Sequence, residues 1–217
     1  MLQLGADWLD RYVRVHLRDA LAYGFEDGIV SGTGIDQPIG MIRDLAGAID
    51  PVNGYAAKAP VALASFSAAD LGAIFETLAT TETGKRRAVG TPVFLYNPAD
   101  WYTKIFPAAH QLLAGGYRNV LPFSVNFVPC VSVPEGQAII GLAKRYLLTV
   151  ATPTEGQIEF SDHYKFLEDD RTDIIKLLGN GMPKDNNSFV LLDIENIAPF
   201  VPQVSVVGTV STQEVAP

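Results

Sequence analysis

The stretch QIEFSDHYKFLEDDRTDIIKLLGNGMPKDNNSFVLLDI, Gln157 to Ile194, decides how this chain is read. Its pattern predicts a strand, a charged extended segment, a turn rich in Gly, Asn and Pro, and a final strand. Five carboxylates, Asp162, Glu168, Asp169, Asp170 and Asp173, fall within twelve residues, interleaved with Lys165, Arg171 and Lys176. An enzyme usually sets one or two acids in an apolar cleft, whereas acids crowded among bases stay ionised. An exposed arm of mixed sign suits a surface that meets another copy of the same chain. There, charge fixes register and rejects wrong pairings more than it adds affinity.

At the other end, residues 5 to 31 predict one long amphipathic helix. Leu9, Val13, Leu17, Leu21, Phe25 and Ile29 recur every four positions, and Trp8, Tyr12, Ala20, Gly24 and Gly28 widen that stripe. Arg14 and Arg18 lie mostly on the other face and join the arm as candidate interface residues. Gly24 and Gly28 predict a close crossing over another backbone. The helix has almost no entry segment, as if it were the back half of a longer element, and the chain reads as a fragment. It runs into SGTGIDQPIG (Ser31 to Gly40), which closes a helix with Gly32 and Gly34 as left-handed stop residues. A phosphate cradle needs the reverse order, with glycines following a strand and opening a helix.

Between these ends the chain predicts a loop over 50–64 and a helix over 67–80 capped by Ser67, with Leu71, Ile74, Phe75 and Leu78 as its apolar face. A strand follows over 91–96, continuous enough in apolar residues for a sheet covered on both sides. Asn97 and Pro98 open a third helix, perturbed at Pro107. Further strands are expected over 123–133, 138–141 and 146–151. The segment from Ala198, rich in Pro, Val, Ser and Thr, reads as an appended tail. Strands and helices do not alternate regularly, so the fold class is α+β.

Composition limits the function. With 24 acids against 16 bases, a net charge of −8 argues against gripping nucleic acid through its phosphates. The one basic run, Lys85-Arg86-Arg87, reads as a solvated turn. The lone Cys130 cannot form an internal disulfide, lies in an apolar strand, and is expected to be buried and inert. His16, His110 and His163 stand in no metal-binding spacing. His16 is expected to pack on its helix and His110 to meet a helix end. No catalytic, cofactor-binding or metal-binding residue is assigned.

Three segments carry a resemblance. FEDGIVSGTGIDQPIGM (Phe25 to Met41) resembles the end of the long spine helix and its Gly-rich turn in tailed-phage major capsid proteins. FLEDDRTDIIK (Phe166 to Lys176) with NNSFVLLD (Asn186 to Asp193) is similar to their charged peripheral strand and last strand. FLYNPADWY (Phe94 to Tyr102) looks like the strand-to-helix step of their axial domain. The order agrees across roughly residues 8 to 195.

The resemblance implies the Hong Kong 97-type fold. Residues 1–35 and 149–186 would form a peripheral domain, 36–148 and 187–197 an axial domain, and 198–217 a tail. It further implies a structural head protein with homo-oligomeric assembly into pentamers and hexamers of an icosahedral shell. The shell would enclose DNA without specific binding, in the virion after assembly in the host cytoplasm, with scaffold, portal or protease partners and no membrane or cofactor. Because the family's N-terminal arm and extended loop are not seen, a lysine–asparagine cross-link is not expected. The fragment should be soluble, monomeric or a small oligomer, and poor at closing a shell. Two other readings stand beside this one: an encapsulin-like nanocompartment shell, and an α/β hydrolase using the acidic cluster near Asp169.

Overall fold

A computed structural model describes residues 6–113, 116–151, 157–161, 163–164, 167 and 172–200. Two helices match the expected apolar periodicities: α1 (Ala6–Ser31) and α2 (Ala68–Ala79), separated by the two-residue strand β1 (Val61–Ala62). Ser67 caps α2 by accepting from the Asp70 N–H at 3.1 Å, and Leu71, Ile74 and Leu78 are buried on its inner face. Strand β2 (Val93–Tyr96) leads into a helical run that changes pitch twice: α3 (Pro98–Asp100), a π-helical stretch Trp101–Ile105, and α4 (Phe106–Ala109). Asn97 accepts from the Ala99 N–H at 3.0 Å, so the run starts as its sequence dictates. Pro107 has no N–H to give, and just ahead of it the Phe106 N–H reaches back to the Trp101 carbonyl, widening the turn.

The remaining strands are β3 (His110–Leu113), β4 (Gly116–Asn119), β5 (Asn126–Pro129), β6 (Gln137–Gly141), β7 (Tyr146–Val150), β8 (Gln157–Ser161), β9 (Thr172–Lys176), β10 (Gly179–Pro183) and β11 (Phe189–Asp193). The central sheet has the order β1-β11-β6-β2-β5. Its outer pairs, β1 with β11 and β2 with β5, are parallel, while β11–β6 and β6–β2 are antiparallel. The fold is therefore a mixed α/β arrangement with one long helix and one mixed sheet.

Both faces of that sheet are covered, as the apolar 91–96 segment requires. Phe94, Tyr96, Ala138, Ile140, Val190 and Leu192 point to one side, where α2 and α4 close over them. Ile139, Phe189 and Leu191 point to the other, against Val30 at the end of α1, Ile42, Cys130 and Val133. Alternate residues of a strand face opposite sides, so one strand feeds two cores. Fully burying a Phe or Leu side chain stabilises by about 1.5–3 kcal/mol, and these positions hold the sheet together.

Four expectations are corrected. The 179–183 stretch GNGMP is not a turn but β10, paired antiparallel with β7. Its glycines allow close approach: a Cβ on Gly181 would lie 2.7 Å from the Tyr146 ring, and one on Gly179 would lie 3.1 Å from the Phe25 ring. Gly32 is not left-handed. The positive φ angles fall at Gly34 (86°) and Asp36 (53°), while Gly32 is needed because a Cβ there would lie 2.2 Å from the Pro38 carbonyl oxygen and 2.3 Å from that of Gly28. Of the two helix glycines, only Gly28 meets a close neighbour, Pro38 Cδ at 3.3 Å; Gly24 has nothing within 4 Å. The strand expected over 123–133 is confined to β5, and the β3–β4 hairpin was not foreseen.

These glycines make a paired test. Gly24→Ala should raise stability by up to about 1 kcal/mol through helix propensity, since its site is open. Gly32→Ala should lower it by about 1–3 kcal/mol, because the added methyl meets backbone that cannot swing aside. Urea unfolding of both variants checks the contrast; equal effects would contradict this packing.

Candidate assembly surface

Helix α1 forms a rod whose apolar stripe is buried at its C-terminal end, half-buried along its middle and exposed at its N-terminal end. Val30 is 2% exposed at the C-terminal end, but Trp8, Leu9 and Tyr12 are 46%, 56% and 49% exposed at the other. A stripe that wide normally faces a core. Here Trp8 stacks on Tyr12 at 5.2 Å and Tyr12 meets His16 edge-on at 4.2 Å, so the rings pack along the helix itself. The C-terminal carbonyls of α1 are satisfied from outside the helix. Arg43 Nε donates to the Ser31 carbonyl at 3.0 Å and to that of Gly32 at 3.2 Å, Arg43 Nη2 also reaches Ser31, and Nη1 donates to the Tyr55 carbonyl at 3.2 Å. This supplies a cation where a helix end favours one.

Beside α1 runs β9, paired antiparallel with β8 as an exposed hairpin. A two-stranded hairpin has little independent stability, and this one leaves Phe160 and Ile174 62% and 50% exposed. Lys176 pairs with Glu159 diagonally across the hairpin. Arg14 pairs with Asp10 one turn away at 2.7 Å. Its guanidinium is held still more firmly in the charged form, chiefly by that hydrogen bond and the Asp10 charge, with Asp173 on β9 adding its own. The fold thus places Arg14 near Asp173, linking helix and arm within one chain. Arg18 lies one turn further along the same helix. Asp162, Lys165, Glu168, Asp169, Asp170 and Arg171 lie outside the described residues, as does the segment beyond Phe200.

Between α1 and the sheet lies a groove of about 690 Å³, lined by Leu21, Phe25, Ile29, Leu95, Val128 and Cys130 among others. Cys130 is buried, and its thiol is pushed up to about 12, first by that burial and then by Glu26. A thiol held protonated is a poor nucleophile, as its apolar setting predicts. Glu26 itself accepts from the Val131 N–H at 3.0 Å. Asp100 is 4% exposed, but both its oxygens are engaged, by Lys104 at 2.8 Å and the Gly136 N–H at 2.8 Å. That carboxylate positions a loop. Among the described residues no cluster of His, Cys, Asp and Glu is arranged to hold a metal ion. His110 does stand at a helix end, as the C-cap of α4 with its backbone N–H donating to the Phe106 carbonyl, and its ring stacks on Phe106 at 4.6 Å.

Two buried cations went unread in the sequence. Arg87 is no solvated turn residue: its side chain is 6% exposed and pairs with Asp185 at 2.6 Å, while Nη2 donates to the Asn187 carbonyl at 2.8 Å. It ties the end of α2 to the turn before β11. Lys58 Nζ donates to the Asn186 carbonyl of that same turn and to the Phe189 carbonyl at the start of β11. The only hint in sequence is that each stands near a strand or helix end rich in free carbonyls.

Burial lowers the Lys58 ammonium to about 8 from 10.5, with Asp44, Asp185 and Glu82 opposing the shift. Between those values the unfolded chain binds a proton the native chain lacks, so this group makes stability rise as pH rises from about 8 to 10.5. Below that window its cost is fully present, on the order of 3 kcal/mol. Replacing Lys58 with Met should remove that rise. Denaturant unfolding of both proteins at several pH values across the window reads the difference in slope; parallel curves would contradict the assignment.

No protein-family model matches the sequence, and no curated protein is significantly similar to it. Solved structures do share the fold. The capsid of an empty GTA particle superposes with a TM-score of 0.57 at 11% identity, covering 86% of this chain and 66% of that one. The capsid of a native GTA particle gives 0.57 at 13% identity with the same coverage. A virus-like particle from Pyrococcus furiosus gives 0.39 at 12% identity, covering 62% of this chain and 56% of that one, too low a score to define a shared fold. The chain has a phage-capsid-like fold, and it spans 66% of the length of the GTA capsid chains.

Proposed function

We propose that this protein is a structural shell subunit: a major capsid protein of the Hong Kong 97-type fold, from a tailed phage, a prophage or a phage-derived particle. The observation that carries the reading is an apolar, charge-flanked rod whose N-terminal end stays exposed, in a fold shared with GTA capsids. A lone subunit has no use for Trp8, Leu9 and Tyr12 in water, whereas contiguous exposed apolar surface marks interaction sites.

In this reading residues 1–35 and 149–186 form the peripheral domain, and 36–148 with 187–197 the axial domain. The two-sided sheet supports a rigid axial body, and the exposed β8–β9 hairpin beside α1 suits a peripheral edge. Copies would meet through Arg14, Arg18, Asp162, Lys165, Glu168, Asp169, Asp170, Arg171, Asp173 and Lys176, building pentamers and hexamers of an icosahedral shell. Single exposed ion pairs contribute under about 1 kcal/mol each, so contacts repeated over many copies can close a shell and still correct errors. The net charge of −8 agrees with enclosing DNA without gripping it. The protein would act without turnover, in the virion after assembly in the host cytoplasm.

Sedimentation velocity tests this. The wild-type chain should self-associate as concentration rises, and more weakly in high salt. Arg14→Glu with Lys176→Glu should raise the concentration needed by about tenfold or more, with an unchanged melting temperature. Equal association of wild type and variant would remove these residues from the interface.

A further inference from the structure

We infer that the open edge of β7 pairs antiparallel with the β7 edge of a second copy of this chain, centred on Leu148. The pairing rests on the shell reading for its second copy and adds to it a contact separate from the charged arm. Alternation along the ladder fixes which backbone groups are open. Where β7 and β10 run on past their ends, the Ala151 N–H donates to the Leu178 carbonyl and the Lys184 N–H to the Arg145 carbonyl, both at 2.8 Å. Residues 145, 147, 149 and 151 therefore turn their N–H and C=O groups toward β10, and Tyr146, Leu148 and Val150 turn theirs away. The far side of β10 is closed: the Ile39 N–H donates to the Gly181 carbonyl at 2.8 Å, and Pro183 has no N–H. The far side of β7 is not. Among the described residues only the Tyr146 N–H finds a partner there, the Ala143 carbonyl.

Exposed edge strands are normally guarded by a charge, a proline or a bulge. Strand β5 carries Pro129, β8 carries Glu159, and β9 carries Asp173 and Lys176. The β7 sequence YLLTV has no charge, proline or glycine, and it leaves Leu147 and Leu148 exposed. Its open groups also match themselves. When two copies meet antiparallel about Leu148, the Leu148 N–H of each donates to the Leu148 carbonyl of the other. The Val150 N–H of each then meets the Tyr146 carbonyl, the group of Tyr146 that is still open. Every outward donor without a partner thus finds an outward acceptor. Tyr146 falls opposite Val150, an aromatic side chain against a β-branched one, which is a favourable cross-strand pair. Arg145 falls opposite Ala151, so the like charges stay apart. Two copies that each carry a net charge of −8 repel, and an uncharged strand gives them a place to meet. The contact is isologous, the same patch on both copies, and such a pair can join one ring of subunits to the next.

Because the Leu148 N–H points away from β10, Leu148→Pro removes a donor of the contact and spares the ladder inside the chain. Leu148→Thr keeps that donor and serves as the control. In sedimentation velocity of the full chain, Leu148→Pro should raise the concentration needed for association by about tenfold or more, and Leu148→Thr by less than about threefold. In the wild type, residue-resolved hydrogen exchange at Leu148 and Val150 should slow by about tenfold or more once copies associate. Association unchanged by the proline would overturn the pairing and leave the shell reading standing. So would amides at 148 and 150 that exchange as fast in the associated protein as in the dilute one. Protection of both amides already in the dilute monomer would overturn it as well, by showing the edge covered within one chain. A wild type that stays monomeric at every concentration would overturn both readings. Circular dichroism confirms that each variant is folded.

Discussion

Replacing Arg87 with methionine should lower the unfolding free energy by about 3–5 kcal/mol, because it leaves Asp185 charged and nearly buried without its partner. The guanidinium is 6% exposed and the carboxylate 14%, so water offers little relief to either. Arg87 also holds the carbonyls of Leu78 and Asn187, so three elements loosen together: the end of α2, the 81–87 loop and the turn before β11. Arg87→Lys should lose a large share of this, since an ammonium cannot reproduce the planar fork. The double variant Arg87→Met with Asp185→Asn should recover part of the loss by removing the stranded charge. A coupling of about 0.5–3 kcal/mol in the double-mutant cycle would establish the pair. Strict additivity would show that the two residues act separately.

Truncating Phe189 to alanine should cost about 3–5 kcal/mol, comparable to the loss at Arg87. Phe189 is 1% exposed on β11, with its ring edge-on to Tyr146 at 6.3 Å. Gly141 on β6 makes room for it, since a Cβ at that position would lie 2.2 Å from the ring. The two sites are therefore complementary. Gly141→Ala in the wild type should be strongly destabilising, and in the Phe189→Ala background only partly so, because the Ser188 carbonyl oxygen still lies 2.7 Å from the added methyl. Thermal unfolding of the four proteins reads this directly. Independent effects would mean the ring does not occupy the space the glycine leaves.

What could be read in the sequence follows the range of the interactions. The α1 and α2 helices, the Ser67 and Asn97 caps and the β2 strand depend on residues within one or two turns, and periodicity or capping chemistry reveals them. Strand β10 was hidden because its reason to exist is the partner β7, some thirty residues away, while Gly-Asn-Gly-Met-Pro alone argues for a turn. The role of Arg87 was hidden likewise, since Asp185 lies 98 positions along. Gly32 shows the same limit at short range: a glycine after a helix suggests a left-handed cap, and only the fold reveals a Pro38 carbonyl pressed against it. For the candidate surface, Arg14, Arg18, Asp173 and Lys176 were picked out by charge pattern. The structure adds that β9 lies beside α1, close enough for the Asp173 charge to act on Arg14. Side chains that meet another molecule leave only an unburied stripe in a single chain, and α1 carries one at its N-terminal end.

Cryo-electron microscopy of the assembled protein, at a resolution that places side chains, tests the central claim most directly. It should show pentameric or hexameric rings, closed into shells or not, with the Trp8–Tyr12 stretch of α1 and the β8–β9 hairpin buried between adjacent copies. A monomer or small asymmetric oligomer with α1 bare in solvent, and the acids from 162 to 173 gathered around a bound metal or small molecule, would contradict it.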